Sequence, residues 1–155
     1  MNTLKAEKRS MDVKAKKLRR EGFVTGNLFG REIEGSIPLK FTKKEIEVLL
    51  KNNNKGSQVM LELDGKTYDA LIKEVDYNPL AHTVEEVDFQ ALVSNEMVHS
   101  TAEIILENEE KVMSGVLQDE LKEVAYKALP ADLVDKIKVD VAGMKIGDTL
   151  RVRSE

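Results

Sequence analysis

Charged side chains are the residues of this chain that could do chemistry, and they form two groups. The first twenty residues hold eight basic side chains against Glu7 and Asp12, whereas the remaining residues hold 16 basic and 26 acidic ones. Clustered cations of this kind can neutralise phosphates. The second group is the set of carboxylates Glu85, Glu86 and Asp88, and paired carboxylates can act as general acid and base. A basic end on an acidic body indicates contact with nucleic acid or a membrane surface.

Enzyme motifs are missing from the sequence, which holds no G-x-S-x-G, Walker or Rossmann glycine pattern. Strand alternation would separate Glu85 from the other two carboxylates. Neither His82 nor His99 has a partner at metal-ligand spacing. We therefore expect a non-enzyme with no metal and no cofactor. The lack of cysteine fits a cytoplasmic protein, and no apolar run approaches the roughly 18 residues that span a bilayer.

The basic segment is predicted to be a helix between strands. Residues 3–9 favour a short strand, and a helix is expected over 13–21 with Asp12 as its N-cap. Gly22 stands where a left-handed residue would end this helix, and its last turns carry the cations. Residues 26–41 have the glycine and isoleucine content of two short strands around a turn.

The middle of the chain predicts a helix followed by a hairpin. Thr42 and Glu45 form a capping-box pattern, so a helix is expected over 42–51. Residues 57–75 alternate in polarity around Asp64-Gly65, which is a type I′ turn signal.

Residues 70–92 predict two strands joined by a loop at Asn78-Pro79, because proline cannot donate a backbone hydrogen bond. The second strand alternates, which gives it one apolar and one polar face. The apolar face holds Val87, Phe89 and Ala91, and the polar face holds Glu86, Asp88 and Gln90.

Beyond Leu92 the sequence becomes more acidic and Tyr126 is the one remaining aromatic residue. Strands are expected at 102–107, 112–117, 122–128, 136–141 and 148–153. The fold class is therefore mainly β, with an N-terminal domain over 1–92 and a smaller C-terminal β domain over 93–155.

In order, these pieces resemble the bacterial family of ribosomal protein L-twenty-five, which includes general stress protein CTC. The similar stretches are LKAEKRS, KAKKLRREG and NLFG, then ALIKEVDYNP with VEEVDFQAL, and the C-terminal GVLQDELKEVAYKALPADLVDKIKVDVAGMKIGDTLRV. The resemblance covers nearly the whole chain. It implies an N-terminal, six-stranded, β-barrel-like domain that binds 5S ribosomal RNA on the large ribosomal subunit. We expect a monomer when the chain is away from the ribosome.

The resemblance also implies a set of RNA-binding residues. They are Arg9, Lys14, Lys16, Lys17, Arg19, Arg20, Phe29 and Asp88. Among the positions that depart from the family pattern, two change the charge of the predicted site. Asp76 stands where the family usually has glutamine and Glu86 where it has histidine, so both place negative charge on the face expected to meet RNA. An alternative hypothesis is therefore a divergent stress-protein paralogue with weakened RNA binding that acts as a protein-interaction module.

Overall fold

The structure is a computed structural model that describes residues 3–107 and 123–140. It is mainly β, as the sequence predicts, and its described residues form a closed barrel and a separate three-stranded sheet. No helix within these two ranges is long and apolar enough to cross a membrane.

Six strands close the barrel in the order β1-β3-β2-β6-β5-β4. They are β1 (Thr3–Lys8), β2 (Phe23–Phe29), β3 (Ser36–Thr42), β4 (Gln58–Leu63), β5 (Lys66–Asn78) and β6 (Thr83–Ala91). Two of the neighbouring pairs, β1 with β4 and β2 with β6, are parallel, and the others are antiparallel. Closure leaves none of these strands with a free edge.

Alternating apolar residues fill the barrel. Val87 and Phe89 are fully buried, as predicted, and the ring of Phe89 lies 5.5 Å from that of Phe41. Gly26 allows the backbones of β2 and β6 to approach closely, because a Cβ atom at this position would lie 2.0 Å from the carbonyl oxygen of Val87.

Two short helices flank the barrel end where β2 begins and β3 ends. Helix α2 (Lys43–Leu50) starts as predicted, since the Thr42 hydroxyl accepts a hydrogen bond from the Glu45 amide at 3.3 Å. Helix α1 (Ala15–Arg20) is shorter than predicted, and Asp12 as its N-cap is wrong. The N-cap is Lys14, because a turn from Ser10 to Val13 keeps the chain out of the helix for two more residues.

The predicted turns at Gly22 and at Asp64-Gly65 are confirmed. Gly22 ends α1 with a φ of +92°. Asp64 and Gly65 both have positive φ values, 50° and 79°, which is the requirement of a type I′ turn. After Asn78 the chain turns with the help of that side chain, whose Oδ1 accepts from the amides of Leu80 and Ala81.

The second sheet has the strand order β8-β7-β9. Its strands are β7 (Val98–Glu107), β8 (Glu123–Ala128) and β9 (Lys136–Asp140), so three predicted strands are confirmed and β7 begins earlier than expected. The predictions for 112–117 and 148–153 lie outside the described residues. The boundary at 92/93 stays a prediction.

The barrel touches the second sheet through the residues that lead into β4. Gln58 donates to the carbonyl of Pro130 at 2.9 Å, and the hydroxyl of Ser57 donates to Asp135 at 3.1 Å. Gly56 has a φ of +96°, and a Cβ atom there would lie 2.1 Å from the carbonyl oxygen of Thr101. Both the conformation and the space therefore favour glycine at this junction.

Candidate nucleic-acid interface

The predicted polar face is the outer surface of three neighbouring strands, β2, β6 and β5. Strand register aligns its residues in two rows across these strands. One row is Thr25, Glu86 and Asp76, and the next is Asn27, Asp88 and Glu74. The face therefore brings together three of the positions that the sequence marked, and adds Thr25, Asn27 and Glu74.

Arg19 reaches from α1 onto this face and is held there. Its Nε donates to the carbonyl of Glu85 and its Nη2 donates to the hydroxyl of Thr25, each at 3.1 Å. Thr25 is fully covered, and its own hydroxyl lies 3.3 Å from the same carbonyl oxygen. A guanidinium with two protein acceptors is fixed in orientation. Arg19 thus ties α1 to β6 as well as adding positive charge to the face.

Arg9 is also half-buried. Its Nη2 donates to the carbonyl of Val13 at 3.4 Å, and its Nε is buried without a hydrogen-bond partner among the described residues. Its position under the turn before α1 makes it part of the support for that helix.

The remaining cations of the segment face solvent. They are Lys14, Lys16, Lys17 and Arg20. Within the described part of the chain none of these four forms a salt bridge. Leu18, which is buried, anchors the short helix to the barrel and leaves the cationic side chains on the outside. These four are the free charges of the predicted site.

Asp88 lies at the centre of the polar face. Its Oδ1 accepts a hydrogen bond from the side-chain amide of Asn27 at 3.3 Å. Burial raises the pKa of the Asp88 carboxyl, and the charges of Asp76 and Glu74 raise it further, while the bonds from Asn27 oppose the shift. The two side chains form an amide–carboxylate pair that offers both donors and acceptors to a partner.

Glu86 sits between the cations and the other carboxylates. Burial is the main cause that raises the pKa of Glu86, and the charges of Asp88 and Asp76 add to it. Arg19 and Arg9 lower the same pKa. Since the net shift is upward, the two arginines only partly compensate for the crowding of negative charge on this face.

Phe29 lies on the same outer side of β2 as Thr25 and Asn27, at the far end of the strand from α1. It is partly exposed and stands opposite Gln90 in register. The sequence reasoning missed Thr25 and Asn27. Strand alternation counted back from Phe29 was the signal that could have found them.

The Glu86→Gln variant tests whether the crowded negative charge on this face destabilises the fold. The native state binds more protons than the unfolded state between the ordinary pKa of 4.5 and the raised one, so the carboxylate destabilises the fold above this window. We expect the variant to be more stable than the unchanged chain at pH 7, with the difference vanishing below pH of about 4. Urea unfolding at a series of pH values measures it. A variant less stable at pH 7 would contradict the assignment.

The arrangement can do two things chemically. Four free cations beside a sheet can follow a phosphate backbone, and the amide–carboxylate pair can hydrogen-bond to base edges. Among residues 3–107 and 123–140, no three acidic or histidine side chains converge to hold a metal ion. His82 and His99 are both exposed.

The fold and the site place this chain in the class of small β-barrel proteins that carry a cationic helix beside a polar sheet face. Comparison with protein families gives a narrower result. Residues 4–89 match the model of the Ribosomal L25p family, and residues 97–154 match that of the ribosomal protein TL5 C-terminal domain.

Curated relatives cover most of the chain. It is 31% identical to the large ribosomal subunit protein bL25 of Akkermansia muciniphila, over 97% of this chain and 77% of that protein. It is 30% identical to the protein of the same name from Thermoanaerobacter pseudethanolicus, over 90% of this chain and 70% of the relative. The chain belongs to the Ribosomal L25p family.

Proposed function

We propose that this chain is a structural, non-enzymatic component of the large ribosomal subunit in the cytoplasm, and that it binds 5S ribosomal RNA. Relatives with the name large ribosomal subunit protein bL25 support the ribosomal role. The observation that carries the RNA-binding part is the row of exposed cations on and beside α1, next to the polar face of β2 and β6. These cations form no salt bridge with another described residue.

Lys14, Lys16, Lys17 and Arg20 neutralise phosphates in this proposal. Each phosphate contact adds roughly 0.7 to 0.9 to the slope of log affinity against log salt. Arg19 and Arg9 position the segment, because both side chains already donate to protein oxygens and are half-buried.

The polar face supplies recognition. Asn27 and Asp88 together present an amide and a carboxylate, and an acceptor of this kind can take a hydrogen bond from a guanine or cytosine amino group. Structured RNA has a wide, shallow minor groove that such a sheet face can enter. Phe29, at the far end of β2, packs at the edge of this surface.

Direct binding tests the proposal. The full chain is titrated against a labelled 5S ribosomal RNA fragment, and against a hairpin of equal length and unrelated sequence, at several salt concentrations. We expect tighter binding to the 5S fragment and a linear fall of log affinity with log salt. Equal binding of the two RNAs would leave only a general cation effect and would remove 5S recognition.

A protein-interaction module is the second candidate, and Asp76 and Glu86 favour it. Both are negative on the face that would meet phosphates. Sedimentation with purified ribosomes, with and without magnesium, separates the two functions. A chain that sediments with the large subunit and is released by digestion of RNA supports RNA binding. A chain that stays with ribosomal proteins after digestion supports the interaction module.

A further inference from the structure

The junction between the barrel and the second sheet has contacts to three separate parts of that sheet. The backbone of Gly56 lies against β7, and Gln58 donates to the carbonyl of Pro130, in the turn between β8 and β9. Ser57 donates to Asp135, which directly precedes β9. A contact at one point would leave a hinge. Contacts to three separate segments restrict rotation about every axis.

A further contact comes from another strand of the barrel. The ammonium of Lys73, in β5, donates to the carbonyl of His99 in β7 at 2.6 Å. The chain itself passes from the barrel to the second sheet after β6. The second sheet is therefore attached covalently at one place and through non-covalent contacts with β5 and the start of β4 at others.

The polar groups of the junction are buried and hydrogen-bonded across it. Ser57 and Ser100 are only 3% and 6% exposed. The Ser57 hydroxyl accepts from the amide of Asn54 and donates to the carboxylate of Asp135, each at 3.1 Å. The carbonyl of Asp135 in turn accepts from the amide of Glu103 in β7 at 2.9 Å. This chain of hydrogen bonds runs from the barrel into the second sheet, and its burial protects it from competition with water.

We propose that this junction locks the barrel and the second sheet into one rigid body, with Gly56, Ser57 and Gln58 as the residues that set the orientation. Domains of one chain usually move relative to each other unless their contacts prevent it. The second sheet is then held at one angle to the cationic helix α1, and a partner bound to one unit is presented at a fixed distance from the other. The proposal does not depend on RNA binding.

Residual dipolar couplings of the full chain test the rigidity, because they report the orientation of each backbone amide in a weakly aligned sample. We expect the amides of the six barrel strands and those of β7, β8 and β9 to fit one alignment tensor. A separate tensor of smaller magnitude for the second sheet would show independent motion and would overturn the proposal.

A pair of glycine variants tests whether the junction sets the angle. Gly56 and Gly65 both have positive φ values, +96° and +79°, so alanine strains the backbone at either position. At Gly56 the added Cβ atom would lie 2.1 Å from the carbonyl oxygen of Thr101, whereas at Gly65 it would meet no heavy atom within 4 Å beyond its chain neighbours in the described residues. We expect Gly56→Ala to change the orientation of the second sheet relative to the barrel, and Gly65→Ala to leave it unchanged.

Removing the side-chain hydrogen bonds gives a second test that remains available if Gly56→Ala folds poorly. Ser57→Ala combined with Gln58→Ala should make the alignment of the second sheet at least about twofold weaker than that of the barrel. Ser36→Ala combined with Gln90→Ala, on β3 and β6, removes the same side-chain types outside the junction and should keep one tensor. A single unchanged tensor in both junction variants, or an equal change in the control variants, would overturn the proposal.

Discussion

Replacing Lys16, Lys17 and Arg20 together by alanine is expected to lower affinity for the 5S ribosomal RNA fragment about 100-fold at 0.1 M salt. These three side chains are exposed and form no salt bridge within the described residues, so they are available to phosphates. Losing three contacts should also reduce the salt slope by about 2 to 3. Binding titrations between 50 and 300 mM salt measure both quantities.

The control for this variant removes the same amount of charge elsewhere. Lys51, Lys127 and Lys136 are exposed and belong to elements other than α1 and the strands of the polar face. Their replacement by alanine should change the affinity only slightly. If this control lost as much affinity as the α1 variant, net charge and not the cationic segment would determine binding. Arg19 is left unchanged in both, because its bonds to Thr25 and Glu85 would make a loss of binding ambiguous.

Asp76→Asn combined with Glu86→Gln is expected to tighten RNA binding by about 2- to 30-fold. Each substitution removes a negative charge from the face beside Arg19 and Arg9, and screened charges of this kind contribute about 0.2 to 1 kcal/mol each. Asparagine and glutamine also restore amide donors there. The same titration at pH 7.5 measures the gain.

Lowering the pH should reduce the difference in RNA affinity between this double variant and the unchanged chain. Burial and the neighbouring carboxylates raise the pKa of Glu86, so its charge is lost at a higher pH than that of an ordinary glutamate. Binding by the unchanged chain should therefore tighten as the pH falls from 7.5 toward 5. Glu123→Gln with Asp132→Asn, on exposed positions outside the barrel, is the control and should match the unchanged chain. A variant that binds RNA more weakly would show that the carboxylates contribute to recognition, as in hydrogen bonding to bases.

Much of the fold could be predicted from local patterns. Alternation identified the inward side of β6, and the Asp64-Gly65 and Thr42–Glu45 signals identified a turn and a helix start. These features depend on residues close in sequence, for which side-chain period and capping chemistry are sufficient. The Asp12 prediction failed for a related reason, because the turn from Ser10 to Val13 competes with an earlier helix start.

The site was predictable only in part. Composition found the cations, but it could not separate Arg19, which is bonded to Thr25 and Glu85, from the free Lys17. The parallel pairing of β2 with β6 places Asn27 opposite Asp88. No local pattern gives the register of strands so distant in sequence. The cavity lined by the β2–β3 loop, the start of β5 and the residues after β6 was not predicted either, since its lining comes from three separate segments.

The two parallel strand pairs of the barrel also determine the order in which its parts fold. Strand β1 pairs with β4 and β2 with β6, each across about sixty residues of sequence, whereas β4 and β5 meet through a two-residue turn. The local hairpin can form in microseconds, but closure of the barrel must first overcome the entropy of long loops. During synthesis, Thr3 can pair with Met60, and Thr25 with Glu86, only after the later residue of each pair has left the ribosome. The outer face that we assign to RNA is therefore among the last parts of the barrel to form.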